Sequence, residues 1–158
     1  MAVQPTDLKI FKATSQEGGA ISAVEAGGVD NLFEGGFSAQ ESDGGTVEYA
    51  CAYIQNTSAQ TAFNVSFYVS SKDTVGTVTL YVGSGASAID TEEQTVGDVT
   101  EAPSNVTFTE AASVGEAISI GDLAAGSYKS IWFAFTLPAG TSAADFDYEI
   151  TIDAETGA

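Results

Sequence analysis

Tyr128-Lys129-Ser130-Ile131-Trp132-Phe133-Ala134-Phe135-Thr136-Leu137 is the stretch whose reading decides the fold. Alternate residues of a strand share a face, so Ile131, Phe133 and Phe135 fall on one side and Tyr128, Trp132 and Ala134 on the other. Both sides are apolar. A strand of this kind is expected to be central, or covered on both faces. Gly121-Asp122-Leu123-Ala124-Ala125-Gly126 reads as the turn leading into it, and Pro138-Ala139-Gly140 ends it.

Working outward, the same period of two recurs, and helical periodicity is hard to find. Thr46–Gln55 and Phe63–Ser70 read as strands flanking the polar turn Asn56-Thr57-Ser58-Ala59-Gln60. In the second of them Phe63, Val65, Phe67 and Val69 are expected to point one way, with Asn64, Ser66, Tyr68 and Ser70 opposite. Thr77–Gly83 places Val78, Leu80 and Val82 inward. Asp145–Ile152 alternates Phe146, Tyr148, Ile150 and Ile152 with Asp145, Asp147, Glu149 and Thr151. Asp7–Lys12 is a short candidate strand carrying Leu8 and Ile10, and Val106–Thr109 and Ala117–Ile120 are two more. Ser84–Ser104 reads as an acidic loop. The span from Ala13 to Gly45 holds eight glycines and scattered anchors (Ile21, Leu32, Phe33, Phe37). It is too long for a simple loop. It reads as an extended segment, with room for short strands or turns, laid over the domain or reaching a neighbour. About eight short strands with Gly-rich turns predict an all-β fold: an antiparallel β-sandwich, Ig-like or jelly-roll-like, with a long irregular N-terminal segment at 13–45. No internal repeat or boundary divides residues 1–158, so a single domain is expected.

Composition limits the partners. The chain has 158 residues, 44% of them apolar, which is too rich for a disordered polymer. Twenty-two Asp and Glu stand against four Lys (Lys9, Lys12, Lys72, Lys129), with no Arg and no His, for a net charge of −18. Phosphate would repel such a surface, which argues against nucleic acid and anionic membranes as partners. The acidity either keeps an abundant protein soluble or attracts a basic patch on another protein. No run approaches the ~18 apolar residues of a membrane span. Met-Ala-Val-Gln-Pro-Thr-Asp lacks the pattern of a secretory signal, so either the protein stays in the cytoplasm where it is made or a leader has been removed, and Met1 favours the first.

Catalytic chemistry is poorly supplied. Without histidine a Ser-His-Asp triad cannot form, and the common zinc sites lack their ligands. The single cysteine, Cys51, alternates with Val47, Tyr49 and Tyr53 and is expected to be a small core residue. Gly83-Ser84-Gly85 follows a strand but leads into no helix, so it is not a phosphate loop. A carboxylate pair for glycoside hydrolysis stays open among so many acids. So does calcium, for which Asp145-x-Asp147 and the Glu92–Glu101 loop offer oxygens, although no EF-hand pattern is present. The expectation is a non-enzyme with no cofactor and no metal. The triplets at Asn56, Asn64 and Asn105 fit the glycosylation pattern about as often as chance would in a Ser/Thr-rich chain. Tyr68, Tyr81 and Trp132 fall on faces opposite the core. Either a second layer covers them, or they form an aromatic patch facing another subunit or a ligand.

Several phrases together resemble a known group. They are Asp7-Leu8-Lys9-Ile10-Phe11-Lys12 with Gly18-Gly19-Ala20-Ile21, Asn31-Leu32-Phe33, Glu48-Tyr49, and Cys51-Ala52-Tyr53-Ile54-Gln55-Asn56. Glu93-Gln94-Thr95-Val96, Ala102-Pro103-Ser104-Asn105-Val106-Thr107-Phe108, and Ile120 to Gly126 leading to Ile131-Trp132 complete the set. The chain is similar to the head-decoration, or cement, proteins of tailed phages. One departure is clear: Phe133-Ala134-Phe135 stands where a basic residue is expected after the tryptophan, so any contact such a residue makes is not carried over. The resemblance implies a virion protein on the outer capsid surface. It would be a homotrimer whose partner is the major capsid protein, clamping adjacent subunits through anchors such as Leu32, Phe33 and Phe37, with Tyr68, Tyr81 and Trp132 as further interface candidates. Two other readings fit the same residues. One is a secreted or surface Ig-like binding module that takes carbohydrate on Tyr68, Tyr81 or Trp132; the other is a tail or fibre component.

Overall fold

The computed structural model describes residues 2–26, 32, 39–72, 78–141 and 147–156. The chain is all-β, built from antiparallel sheets in a sandwich-like arrangement. Its strands are β1 (Leu8–Ser15), β2 (Gly18–Glu25), β3 (Thr46–Asn56), β4 (Ala62–Lys72), β5 (Thr79–Ser84), β6 (Glu93–Thr95), β7 (Ile118–Leu123), β8 (Tyr128–Leu137) and β9 (Tyr148–Thr156). One sheet has six strands in the order β5-β8-β3-β1-β2-β6, and the other has three in the order β7-β4-β9. A six-residue helix, Ala39–Gly44, precedes β3. Among the described residues no helix is long and apolar enough to cross a membrane.

The decisive stretch is β8 with the bounds its sequence suggests, and it lies between β5 and β3. Its ladder with β3 runs unbroken from Thr46↔Leu137 to Gln55↔Tyr128. That register places two sets of side chains on opposite faces. Ile131, Phe133 and Phe135 join Ala50, Ala52 and Ile54 in the main core, against Val65, Phe67 and Val69 of β4 and Leu80 and Val82 of β5. Trp132, Cys51 and Tyr53 form a second core with Ala13 and Val96, bordered by Ile21, Tyr49, Val106, Phe108 and Tyr128. Trp132, Tyr53 and Phe133 are each 0% exposed, so both faces of β8 are sealed.

The structure also departs from the expected pattern in definite places. The span from Ala13 to Gly45 carries more regular structure than an irregular segment would, because it contains the end of β1, the whole of β2 and the helix before β3. β2 folds back on β1 through the Gln16-Glu17 turn. Gly18 has φ +121°, and a Cβ there would fall 2.1 Å from the Gln94 carbonyl oxygen, so only glycine lets β6 pair so closely with β2. The acidic loop Ser84–Ser104 therefore contains a strand, β6, that periodicity over three residues could not reveal. Val106–Thr109 forms only a single bridge, Thr109 with Val82. β7 continues to Leu123, so the following turn is shorter than expected and closes with Ser127 N–H donating to the Ala124 carbonyl at 3.0 Å.

Phe63 is the one core assignment on β4 that fails. The ladders of β4 slip between Ala62 and Val65 and between Phe63 and Ser66, and Asn64 sits at φ 49° in the left-handed region. One extra residue in a strand reverses the parity of everything before it. Ala62 thus takes the buried position, and Phe63 turns out to 38% exposure. Asn64 holds the bulge: its backbone N–H donates to Asp122 Oδ1 at 2.9 Å, and its side-chain amide donates to Glu155 Oε2 at 2.8 Å.

At one end of the sandwich a buried side chain ties two turns together. Asn56 Nδ2 donates to the carbonyls of Gln60 at 2.7 Å and Leu123 at 2.9 Å, while its Oδ1 accepts from the Ser58 backbone N–H at 3.0 Å. Asn56 is 0% exposed, which removes it as a glycan acceptor in the folded chain.

Urea denaturation checks the placement of these aromatics. Phe133→Ala should cost about 3–5 kcal/mol, whereas Phe63→Ala should cost about 1 kcal/mol or less. Equal costs would contradict the bulge.

Candidate functional site

Of the six expected interface residues, the four among the described residues do not form one exposed patch. Leu32 is 6% exposed and packs in this chain's own main core, so it does not stand out as an anchor for another subunit. Trp132 fills the second core, and its indole is closed to any partner in this conformation. Sequence parity rightly put Trp132 on the face away from the main core. What it could not show is that the chain supplies the cover itself. Tyr68 is half-buried against the main core, and Tyr81, 37% exposed on the edge strand β5, is the most accessible of the four described members. Phe33 and Phe37 lie outside the described residues.

The structure instead gathers buried polar groups at the margin of the second core, where the segment from Gly85 to Phe108 crosses it. Glu93, on β6, is 3% exposed. One of its oxygens accepts from Ser130 Oγ at 2.8 Å; the other accepts from Ser87 Oγ at 3.0 Å and from the Gln94 backbone N–H at 2.8 Å. Burial by itself would favour the neutral acid. The Gln94, Ser130 and Ser87 donors, with a contribution from Trp132, together outweigh it and hold the Glu93 carboxyl below the usual carboxylate range. The Trp132 indole N–H acts there by proximity, since it meets hydrogen-bonding geometry with no partner. Lys129 donates to the carbonyls of Gly85, at 2.7 Å, and Ser87. Burial lowers the Lys129 pKa while the Glu93 charge acts to raise it.

Neighbouring groups complete the arrangement. The Tyr53 hydroxyl donates to the Gly19 carbonyl and accepts from the Glu93 backbone N–H at 2.9 Å, and burial pushes its pKa up to about 12. Burial likewise drives the Cys51 thiol far above its ordinary range, with the Glu93 charge adding to it, so this sulfur is a core atom and no nucleophile. Gly85 is required by space: a Cβ on it would lie 1.9 Å from Ser130 Oγ and 2.0 Å from Glu93 Oε2.

A second buried carboxylate has the opposite character. Glu48, 3% exposed on β3, has its pKa raised, chiefly by burial and further by the nearby Glu41 and Asp98 charges. Gln16 Nε2, which donates to Glu48 Oε2 and to the Tyr49 carbonyl at 3.2 Å each, offsets this in part. The loop acids considered for calcium are engaged locally. Glu93 turns inward, Asp98 caps Thr100 through the backbone at 2.8 Å, and Glu101 accepts from Gly97 at 3.0 Å. Asp145 lies outside the described residues. Among the described residues no three Asp, Glu or Cys side chains are grouped to hold a metal ion.

An open groove of about 590 Å³ runs between β1 and β9, lined by Leu8, Ile10, Ala26, Ile150 and Ile152 and by polar residues that include Lys9 and Glu25. The Lys9–Glu25 pair, 3.6 Å apart, crosses its rim with both side chains well exposed.

Sequence reasoning had no means to single out Glu93, Ser130 and Lys129. Glu93 and Ser130 are 37 residues apart, and Glu93 sits in a run of acids whose ordinary fate is solvent. The available signal was the close pair Ser130 and Trp132 on the apolar face of a strand, where a polar group must find a partner.

Two measurements test this description. Gly85→Ala should destabilise the fold by about 1–3 kcal/mol or more, because the added methyl overlaps the Glu93–Ser130 contact. Glu48→Gln should act in the other direction. A carboxylate whose pKa is raised by folding favours the folded state below its unfolded pKa and loses that advantage as pH rises through the folded value. The neutral glutamine should therefore stabilise the protein near neutral pH, with the gain vanishing in acid. A gain that persists unchanged in acid would refute the burial argument.

Comparison with protein-family models, with curated proteins and with solved structures finds no match to this chain.

Proposed function

We propose that this chain is a non-enzymatic structural protein of a tailed-phage virion that decorates the outer surface of the capsid and stabilises it. One observation carries the reading. The phrases on which the resemblance to head-decoration proteins rests run from Asp7 to Trp132, and their apolar residues supply both cores of the domain: Leu8, Ile54, Leu123 and Ile131 among others go to the main core. Ile21, Tyr49, Cys51, Tyr53, Val96, Val106, Phe108 and Trp132 build the second core, and Glu93 fastens its cover. The phrases are thus the packing residues of the domain, as expected of structural phrases shared through a common fold.

The rest of the molecule is compatible with a part that binds protein. Its buried polar side chains hold one stretch of chain to another: Asn56 joins two turns, Gln16 meets Glu48, and Glu93 meets Ser87 and Ser130. A charge of −18 favours solubility at high copy number and a basic landing site. The glycan-binding alternative calls for an exposed aromatic platform. With Trp132 fully buried and Tyr68 half-buried, Tyr81 is the one member of that trio more than a third exposed. The partner under this reading is the major capsid protein, and the solution form is a homotrimer.

Light scattering at moderate salt should give the mass of a stable trimer, and the protein should co-sediment with undecorated capsids of its phage. Tyr81→Ala should weaken that co-sedimentation more than Glu155→Ala, since Glu155 belongs to the outward acids of β9. A protein that does not associate with such capsids in either form would overturn the proposal.

A further inference from the structure

We propose that the segment from Gly85 to Phe108 is a strap that opens as a unit from the second core, with the Glu93 side chain as its latch. This is a property of the fold and does not rest on the capsid reading.

The two cores are sealed in different ways. The main core lies between two sheets joined into ladders along their length. The second core is covered instead by a segment whose own regular structure is the three-residue β6 and which reaches the rest of the protein through separate bonds and not through a long ladder. These are the Gly18↔Thr95 and Gly19↔Glu93 pairings, Val96 N–H to the Glu17 carbonyl at 3.0 Å, and Tyr49 N–H to the Val99 carbonyl at 2.7 Å. Glu93 N–H also donates to the Tyr53 hydroxyl at 2.9 Å. The start of the strap is anchored as its hinge by Gly85 N–H to the Ser130 carbonyl at 2.9 Å, by the Lys129 contacts, and by Asp90, whose N–H donates to the Tyr128 carbonyl at 2.9 Å and whose carboxylate accepts from Ser127 Oγ at 2.9 Å and Tyr128 N–H at 3.1 Å. Within itself the strap is well tied. Gln94 Nε2 donates to the Ser104 carbonyl at 2.7 Å, Ser104 N–H returns a bond to Gln94 Oε1 at 2.9 Å, and Gly97 N–H donates to Glu101 Oε2 at 3.0 Å. Its external bonds are concentrated at the hinge and along β6, and the internal ones tie the stretch beyond the hinge into one body.

Glu93 is the group on which closure turns, because of what surrounds it. Ser130, Ser87 and the Gln94 N–H all present hydrogens to its two oxygens. A carboxylate accepts all three. A protonated acid brings a hydrogen of its own into a ring of donors, loses the charge that strengthens each bond, and has one fewer place to accept. The titratable groups facing it are Tyr53 and Cys51 from β3, both neutral by burial, Lys129 from β8, and Glu92 on its own segment. Lys129 is the cation of this set, so neutralising Glu93 also strips a partly buried ammonium of its counter-charge. The sign follows from the lowered carboxyl. The latch is fully engaged above the ordinary glutamate range and is lost as pH falls through the folded value. Glu48 titrates with the opposite sign under the far end of the strap, where it faces Glu41 and Asp98, so a Glu48→Gln background isolates the effect of Glu93. Opening would bare Trp132, Cys51 and Tyr53 while β4, β7 and β9 stay packed on the main core.

The sole tryptophan and the sole cysteine both lie beneath the strap, so the protein carries its own reporters. Acrylamide quenching of Trp132 fluorescence would be followed from about pH 7 to about pH 3, where carboxylates titrate, beside far-ultraviolet circular dichroism. Quenching should rise several-fold at a pH where the strand signal is still intact. Glu93→Gln should show the raised quenching already at neutral pH, with its pH dependence flattened. Should that variant not fold, Ser87→Ala removes one donor and should move the opening midpoint toward neutral pH, because a less stabilised carboxylate protonates earlier. The proposal fails if Trp132 stays protected until the strand signal is lost, if Glu93→Gln keeps the parent profile, or if Ser87→Ala leaves the midpoint unmoved.

Discussion

Every other feature of this protein depends on the antiparallel ladder between β3 and β8. Ten consecutive pairings without a slip fix which side chains of both strands face the three-stranded sheet and which face away. A shift of one residue would exchange Phe133 for Trp132 and Ala52 for Cys51, and neither core could then be filled. Because the ladder is regular, a residue's parity in these two strands is also its address. Odd positions of β8 from Ile131 to Phe135 serve the main core, and Trp132 opposite Cys51 serves the second.

That regularity is why so much of the fold was legible in the sequence. β8 has the bounds its alternation suggests, β3 extends by one residue and β4 by one at its start and two at its end, and the covering of both faces of β8 followed from its apolar composition alone. Legibility stopped where period-two reasoning has nothing to count. β6 is three residues long, and β2 is rich in small side chains whose pairing depends on Gly18 letting the β6 backbone approach. Phe63 was misplaced because a bulge changes parity without leaving a residue pattern of its own; Asn64, which tolerates a positive φ, was the available hint. The polar cluster around Glu93 was illegible for another reason. Its members come from distant parts of the chain, and a carboxylate bound for the interior looks the same in sequence as one bound for water.

The buried acids show how an excess of negative charge is managed. Glu93 remains charged because the Gln94, Ser130 and Ser87 donors, with Trp132 beside them, outweigh its burial, while Glu48, with one amide and two acidic neighbours, is pressed toward neutrality. Outside, acids do different work. β9 ends the three-stranded sheet, and Asp147, Glu149, Asp153 and Glu155 are exposed along it. Charges on an edge strand discourage pairing with the edge of another molecule. For a chain with only four cations, repulsion between copies is the default, and any lasting association must be made elsewhere on its surface.

The Asn56 amide sets a limit on how this architecture can vary. It bonds at once to the turn after β3 and to the end of β7, and the neighbouring backbone continues the link through Asn56 N–H to the Ser127 carbonyl and Gly126 N–H to the Asn56 carbonyl. Two loops far apart in the chain therefore share one hub. Lengthening either would withdraw a partner from the other, so related chains of this shape should keep both lengths fixed together and accommodate insertions elsewhere.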